Sequence, residues 1–193
     1  MKIKLFPLSI VAYPNKYIPL HIFEERYKKL ITESIRDHSE FGIIYQDKKG
    51  LADIGCTVLV KDLLNQYSDG RMDILCVGKK IFKLNKNLLI DGLTIGEINY
   101  LPDLYPIPAS LFEPLKEKYL KIIITMGNAE DLKNHISKTT TFELLEMIQL
   151  PTVIEQELIT LPSEESRAKM LNKIFTSALE QASSFKSIKK FTS

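Results

Sequence analysis

The chain has 193 residues, of which 45% are hydrophobic and 26% are charged, and its formal net charge is +2. This composition is typical of a soluble globular protein with one sizeable domain or two small ones, and it does not indicate a disordered chain. Because neutralising several phosphates requires a concentrated basic face, the small net charge does not indicate a nucleic-acid ligand.

The first hundred residues predict short β-strands joined by tight turns, with one inserted helix. Strands are expected over residues 3–6, 8–12, 41–45, 54–60, 72–77, 79–84 and 93–100. Residues 13–19, which carry Pro14 and Pro19, predict a loop. The Asp69-Gly70 pair favours a hairpin, because glycine adopts positive φ at low cost. Together these elements predict a small closed or half-closed β-barrel.

The inserted helix follows the proline-bounded loop, and from Phe23 onward it has one apolar face. The side chains with the spacing of a buried helical stripe are Phe23, Tyr27, Leu30, Ile31 and Ile35. We expect Phe23 and Tyr27 to anchor the helix on the barrel, so that Phe23→Ala costs roughly 3–5 kcal/mol. Glu24 and Arg26 point in different directions on a helix, so we expect each to bond to loop backbone.

Beyond Pro102, Pro106 and Pro108 the apolar period changes to that of helices. We predict a β subdomain over residues 1–101, a linker over 102–109 and a helical subdomain over 110–193. Capping patterns at Ser110 with Glu113 and at Thr140 with Glu143 are expected to begin two helices, and Ser163 to begin the last.

No residue pattern indicates catalysis, a metal or a cofactor. His21, His38 and His135 are isolated, and Gly78-Lys79-Lys80 lacks the upstream glycine and the hydroxyl of a phosphate loop. Cys56 and Cys76 lie in apolar strand-like runs, where buried thiols of a reducing compartment are expected. No stretch approaches the ~20 apolar residues of a membrane span, and Pro7 interrupts the apolar N-terminal run. We expect a cytoplasmic protein with no membrane partner.

A motif around Phe23-Glu24 and Arg26-Tyr27 points to a known family. The residues that carry it are Pro19, Leu20, His21, Ile22, Phe23, Glu24, Arg26, Tyr27, Gly42, Asp69, Gly70, Gly78 and Phe82. Over essentially its whole length the chain resembles the N-terminal substrate-binding domain of the Lon protease, and it is similar to short bacterial proteins that consist of this domain alone. The resemblance implies an α+β fold in which a PUA-like β pseudo-barrel with one inserted helix precedes a C-terminal helical bundle.

The resemblance also implies a module that binds unfolded or exposed polypeptide and has neither the ATPase nor the serine-lysine peptidase of Lon. We therefore expect a non-catalytic protein. The candidate polypeptide-binding residues are apolar side chains in loop-like surroundings, where exposed apolar area favours contact: Tyr13, Tyr17, Ile18, Tyr67 and Met72.

Two alternatives remain open at this point. By analogy with other PUA-like domains, the chain could bind RNA through Lys79, Lys80 and Lys83, although fold analogy is a weak warrant and the net charge does not suggest it. It could instead be an adaptor or dimerisation module for a full-length Lon or another partner. The sequence carries no signal for the oligomeric state.

Overall fold

The structure, a computed structural model, describes residues 1–102, 107–128 and 130–191, with side chains described up to residue 182. In chain order its elements are β1 (Lys2–Leu8), β2 (Tyr17–Ile22), α1 (Glu25–Asp37), β3 (Phe41–Asp47), β4 (Gly50–Gln66), β5 (Met72–Ile90), β6 (Leu93–Tyr100), α2 (Ala109–Thr125), α3 (Leu132–Ser137), a 3-10 turn (Glu143–Leu145), α4 (Thr152–Thr160) and α5 (Glu164–Phe191). The predicted α+β class, with strands first and helices after them, is confirmed.

The sheet closes into a barrel because β5 is long enough to pair with three other strands. The strand order is β2-β5-β4-β3-β1-β6, with a further pairing between β5 and β6. The first half of β5 pairs with β2 and β4, and its second half pairs with β6. Strands β5, β4, β3, β1 and β6 therefore form a ring, as the sequence predicted, and β2 lies outside it. The assignment of this barrel to the PUA-like type remains a prediction.

Strands β1, β3 and β4 of the ring each contain a stretch that is buried on both faces. One apolar cluster consists of Ile3, Leu5, Ile44, Phe82 and Ile98. Neighbouring residues on the same strands, such as Phe6 and Ile43, belong to a second cluster, which also contains Tyr27, Leu30 and Ile31 of α1. Burial on both faces explains why runs such as Ile43-Ile44 do not alternate with polar residues.

Several predicted strand boundaries are wrong. Strand β4 extends beyond residues 54–60 at both ends, and the runs 72–77 and 79–84 form the single strand β5. Two further errors lie at a proline. The strand expected over residues 8–12 does not form, because β1 continues through Pro7, which lies opposite Ile44 of β3. The ladder between β1 and β6 ends at Leu5, so no β6 residue needs an amide from Pro7. The loop expected over 13–19 is shorter, because β2 begins at Tyr17 and contains Pro19. Since β2 lies at the end of the strand order, a residue without an N–H group is tolerated there.

The predicted hairpin at Asp69-Gly70 is confirmed. It joins β4 to β5, and Gly70 has a φ of 81°, in the left-handed region that glycine adopts readily. The Asp69 carboxylate accepts a hydrogen bond from the Arg71 amide at 3.1 Å, and the Tyr67 amide donates to the Arg71 carbonyl at 2.9 Å. The turn therefore fixes where the Tyr67 side chain leaves the sheet.

The helical part differs from the prediction at two of its three caps. Helix α2 begins at Ala109, one residue before Ser110, and no side chain caps it. Thr140 and Glu143 do form a reciprocal box, with Glu143 N to Thr140 Oγ1 at 3.3 Å and Thr140 N to Glu143 Oε2 at 2.9 Å, but it precedes only the 3-10 turn. Ser163 caps α5 as predicted, since its hydroxyl accepts from the Ser166 amide at 3.1 Å.

The chain divides into two compact units, Met1–Asp103 with Leu150–Thr160, and Leu104–Gln149 with Leu161–Ser193. Helix α4, which the sequence assigned to the helical subdomain, thus belongs to the barrel unit. Its Glu155 carboxylate pairs with the Lys16 ammonium at 2.6 Å, and its Gln156 side chain donates to the Ile54 carbonyl at 3.2 Å. The linker predicted over 102–109 remains a prediction, because residues 103–106 lie outside the described part of the chain.

Candidate functional site

The outer side of β2 carries a row of exposed side chains. Along the strand, Ile18 and Ile22 are buried, whereas Tyr17, Pro19 and His21 are exposed. This alternation follows from the period of two in a strand, with one face on the core and the other in solvent. Tyr17 is 45% exposed, and the Lys61 ammonium of β4 lies 4.5 Å from the centre of its ring.

Phe23 extends this row beyond the end of β2. It is 60% exposed, and its ring is stacked on that of His21 with 6.0 Å between the ring centres. The expectation that Phe23 anchors α1 on the barrel is therefore wrong. The helix begins only at Glu25, so Phe23 precedes it and follows the outward direction of the strand, while Tyr27 is buried as expected. The predicted cost of roughly 3–5 kcal/mol for Phe23→Ala depended on that anchoring role, so this prediction is wrong as well.

Asp73 of β5 forms hydrogen bonds with both His21 and Tyr67. Its carboxylate lies 2.6 Å from Nδ1 of His21, and it accepts a hydrogen bond from the Tyr67 hydroxyl at 2.8 Å. The rings of His21 and Tyr67 meet edge to face with their centres 6.1 Å apart. The bonds from His21 and then Tyr67 hold the pKa of Asp73 below its ordinary value. The carboxylate thus stays ionised and keeps both rings in place. We call Tyr17, Pro19, His21, Phe23 and Tyr67 the aromatic surface.

Glu24 and Arg26 connect the aromatic surface to a second exposed apolar segment. The Arg26 guanidinium donates to the Glu24 carboxylate from Nη2 at 2.7 Å and from Nε at 3.0 Å, and to the Gly92 carbonyl from Nη1 at 2.7 Å. The expected bond from Arg26 to loop backbone is present. The Glu24 carboxylate, which was also expected to bond to loop backbone, bonds to Arg26 instead. The two side chains can meet because Glu24 has an extended backbone and lies before the helix.

Gly92 belongs to the turn between β5 and β6, and that hairpin carries three consecutive exposed apolar residues, Leu88, Leu89 and Ile90. The sequence interpretation did not single out these residues. A usable signal was present, since an apolar triplet directly before the turn pair Asp91-Gly92 has few places to be buried.

The structure separates the five predicted binding residues into two groups. Tyr17 and Tyr67 are exposed and belong to the aromatic surface. Tyr13, Ile18 and Met72 are buried, which corrects the expectation that they lie in exposed loops. Ile18 is on the core face of β2, Met72 is the first residue of β5, and the Tyr13 ring lies 4.7 Å from the Lys16 ammonium. Burial raises the pKa of the Tyr13 hydroxyl well above its ordinary value.

The remaining family-motif residues lie inside the barrel unit as packing or turn residues. Gly42 and Phe82 meet in the core, where a Cβ at Gly42 would lie 3.1 Å from the Phe82 ring. Gly78 is in contact with the backbone of Tyr13. Leu20 is half-buried against the core, next to the buried Ile22.

The lysines proposed for RNA are exposed on β5. Lys79, Lys80 and Lys83 all reach solvent, and the Lys80 ammonium lies 5.5 Å from the centre of the Tyr100 ring. The RNA alternative and the adaptor alternative both remain predictions.

Within the described residues, no group of three or more histidines, cysteines, aspartates or glutamates could hold a metal ion. Cys56 and Cys76 are buried thiols as expected, and burial raises the pKa of the Cys76 thiol to about 12. A thiol so held is protonated near neutral pH and is a poor nucleophile. Among the helices of the part of the chain that the structure describes, none is both long enough and apolar enough to cross a membrane.

Comparison with known proteins agrees on one family. The profile of the family described as ATP-dependent protease La (LON) substrate-binding domain matches residues 2–182. The Lon protease of Parabacteroides distasonis is 29% identical over 112 residues, which cover 54% of this chain and only 14% of that protein.

Two solved structures share the fold. The crystal structure of a Lon N-terminal domain protein from Xanthomonas campestris superposes with a TM-score of 0.67 at 22% identity, covering 89% of this chain and 96% of that one. The N-terminal domain of the Mycobacterium avium complex Lon protease superposes with a TM-score of 0.77 at 10% identity, covering 91% and 98%.

Proposed function

The chain belongs to the ATP-dependent protease La (LON) substrate-binding domain family, and from this membership we propose that it binds unfolded or exposed polypeptide segments on the aromatic surface. The role is one of binding rather than catalysis. A full-length Lon remains a candidate partner to which such segments would be delivered.

The exposure of Phe23 is the observation that carries this proposal. A large apolar ring that is 60% exposed, next to the exposed Tyr17 and Tyr67, offers contact area that the barrel itself does not use. Aromatic residues dominate the binding energy of many interfaces, because they bury much area with few rotatable bonds. Unfolded chains present the apolar side chains that such a surface would cover.

The rigidity of the surface supports the same role. Asp73 holds His21 and Tyr67, and the His21 ring in turn supports Phe23. A surface ordered before the ligand arrives loses less side-chain entropy on binding, so more of the contact energy appears as affinity.

The charges around the surface are largely paired, which favours apolar recognition. Arg71 lies 4.9 Å from the centre of the Tyr67 ring and bonds to the Asp69 carboxylate at 2.7 Å, and Arg26 bonds to Glu24. Binding should therefore depend weakly on salt, whereas a polyanion held by free lysines would dissociate steeply as salt rises.

Phe23→Ala should weaken binding of an unfolded polypeptide at least about fivefold, which corresponds to roughly 1 kcal/mol. The probe is fluorescently labelled α-lactalbumin kept unfolded by reduction and carboxymethylation, and its affinity is measured by fluorescence anisotropy. The matched control is Val153→Ala, which trims an apolar side chain that is 72% exposed on α4 of the same unit.

The control should bind as the parent does, and both variants should unfold at the parent temperature. Equal affinities for the parent, Phe23→Ala and Val153→Ala would remove the aromatic surface from the proposal.

A further inference from the structure

We propose that the bound segment adds to the sheet as an extra strand along the free edge of β2, so that its backbone is recognised as well as its side chains. This inference rests on the proposed function and specifies the conformation in which the polypeptide is bound.

The phase of the β2 ladder determines which main-chain groups are available. β2 pairs antiparallel with β5 and lies at one end of the strand order. The Gly78 amide donates to the Lys16 carbonyl at 2.9 Å. Because bonded positions alternate in an antiparallel ladder, the positions of β2 bonded to β5 continue at Ile18, Leu20 and Ile22. The main-chain groups of Tyr17, Pro19 and His21 therefore point to the opposite edge.

Pro19 supports this phase independently. A proline has no N–H group, so in a strand it belongs where the missing donor would have faced solvent. Pro19 is one of the three residues whose main-chain groups point away from β5, as the alternation requires. In the described part of the chain, no hydrogen bond beyond the sheet engages the main-chain groups of Tyr17, Pro19 or His21. The edge thus offers two amides and three carbonyls to a ligand.

The same three residues carry three of the five side chains of the aromatic surface. A strand added at this edge would extend the sheet, and every second side chain of the ligand would lie beside Tyr17, His21 or Phe23. The six residue steps from Tyr17 to Phe23 span about 20 Å at roughly 3.3 Å each. The matching ligand is therefore an extended segment of about seven residues.

Pro19 also distinguishes this ligand from a second copy of the chain. Two copies that paired through β2 around Pro19 would place two residues without N–H groups opposite each other, and prolines at an edge suppress such self-pairing. When a segment of another polypeptide pairs with β2, only the one N–H group that Pro19 lacks is missing. The edge therefore fits an unfolded segment better than it fits another copy of itself.

The test uses peptides that differ only in the position of backbone methyl groups. The parent peptide alternates leucine and threonine over seven residues between terminal lysines. One derivative is N-methylated at two of the leucines and the other at two of the threonines. The two derivatives have the same mass, charge and side chains, but they block opposite edges of an extended strand.

Binding to the unmodified protein is measured by fluorescence anisotropy. Strand addition predicts that one derivative loses roughly 5- to 100-fold in affinity while the other binds like the parent peptide. Loss with methylated leucines indicates antiparallel addition, and loss with methylated threonines indicates parallel addition. If both derivatives change equally, or neither changes, the ligand does not add as a strand.

The outcomes separate this inference from the function on which it rests. Equal effects of the two derivatives, combined with Phe23-dependent binding of unfolded α-lactalbumin, would overturn strand addition and leave polypeptide binding intact. Failure of the parent peptide and of unfolded α-lactalbumin to bind would overturn both.

A protein variant provides a second measurement. Pro19→Ala supplies the missing amide, so strand addition predicts about two- to tenfold tighter binding of the parent peptide. Unchanged or weaker binding by a variant that remains folded would count against the edge as the docking site.

Discussion

Gly78→Ala should destabilise the protein by roughly 3–5 kcal/mol, the sum of an overpacking cost and the loss of two backbone hydrogen bonds. A Cβ at this position would lie 2.7 Å from the Tyr13 carbonyl carbon and closer still to its oxygen. The loop cannot easily retreat, because the Gly78 amide donates to Lys16 at 2.9 Å and its carbonyl accepts from Asn15 at 3.1 Å. Urea denaturation measures the loss.

The control for Gly78 is Gly127→Ala. Gly127 has a φ of 81°, and a Cβ there would have no atom within 4 Å. Only the left-handed backbone conformation opposes this substitution, at a cost of about 1–2 kcal/mol. A Gly78→Ala protein no less stable than Gly127→Ala would contradict the close approach of the two backbones and, with it, the position of the turn that leads into β2.

Phe82→Ala should cost about 3–5 kcal/mol, whereas the same substitution at Phe23 should change stability by no more than about 0.5 kcal/mol. Phe82 has no exposed surface and packs in the barrel cluster with Leu5 and Ile44. Its ring also rests against Gly55, where an alanine Cβ would lie 2.6 Å from it, so few atoms could fill the cavity that truncation leaves.

The two phenylalanine variants are compared by urea denaturation under identical conditions. Comparable losses of stability would mean that Phe23 is a packing residue after all. If only Phe82→Ala lowers the stability, then Phe82 is a core residue of the barrel and Phe23 is a surface residue, although both belong to the family motif.

The strand pattern was largely predictable because short apolar runs are separated by turn residues, and the Asp69-Gly70 turn has a local cause. The sequence failed where tertiary position outweighs local preference. Pro7 and Pro19 suggested a break and a loop, yet each lies where no neighbouring strand needs its amide. Proline alone does not reveal whether a strand is at an edge.

The candidate site was only partly predictable, for a related reason. Helical periodicity placed Phe23 in the stripe of Tyr27 and Leu30, but the helix begins at Glu25, and boundaries are the least certain part of a periodic pattern. Because the helix begins two residues later than predicted, Phe23 is an exposed ring and does not anchor the helix. Conversely, Ile18 and Met72 had the apolar character of binding residues but lie on the core face of their strands.

Asp73 could not have been found from the sequence, because its role depends on the register that places it opposite His21. The pairing of β2 with β5 brings together residues 52 positions apart. No local pattern encodes such a contact.

The central claim is that unfolded polypeptide binds at the aromatic surface, and site-specific photo-crosslinking tests it most directly. A benzophenone-bearing phenylalanine analogue replaces Phe23 in one protein and Val153 in another, and each is irradiated with labelled unfolded α-lactalbumin. Both positions are exposed and lie in the same unit, so unspecific collisions affect them alike. The account predicts strong crosslinking from position 23 that unlabelled unfolded protein suppresses, and little from position 153. Equal crosslinking from both positions, or more from position 153, would contradict it.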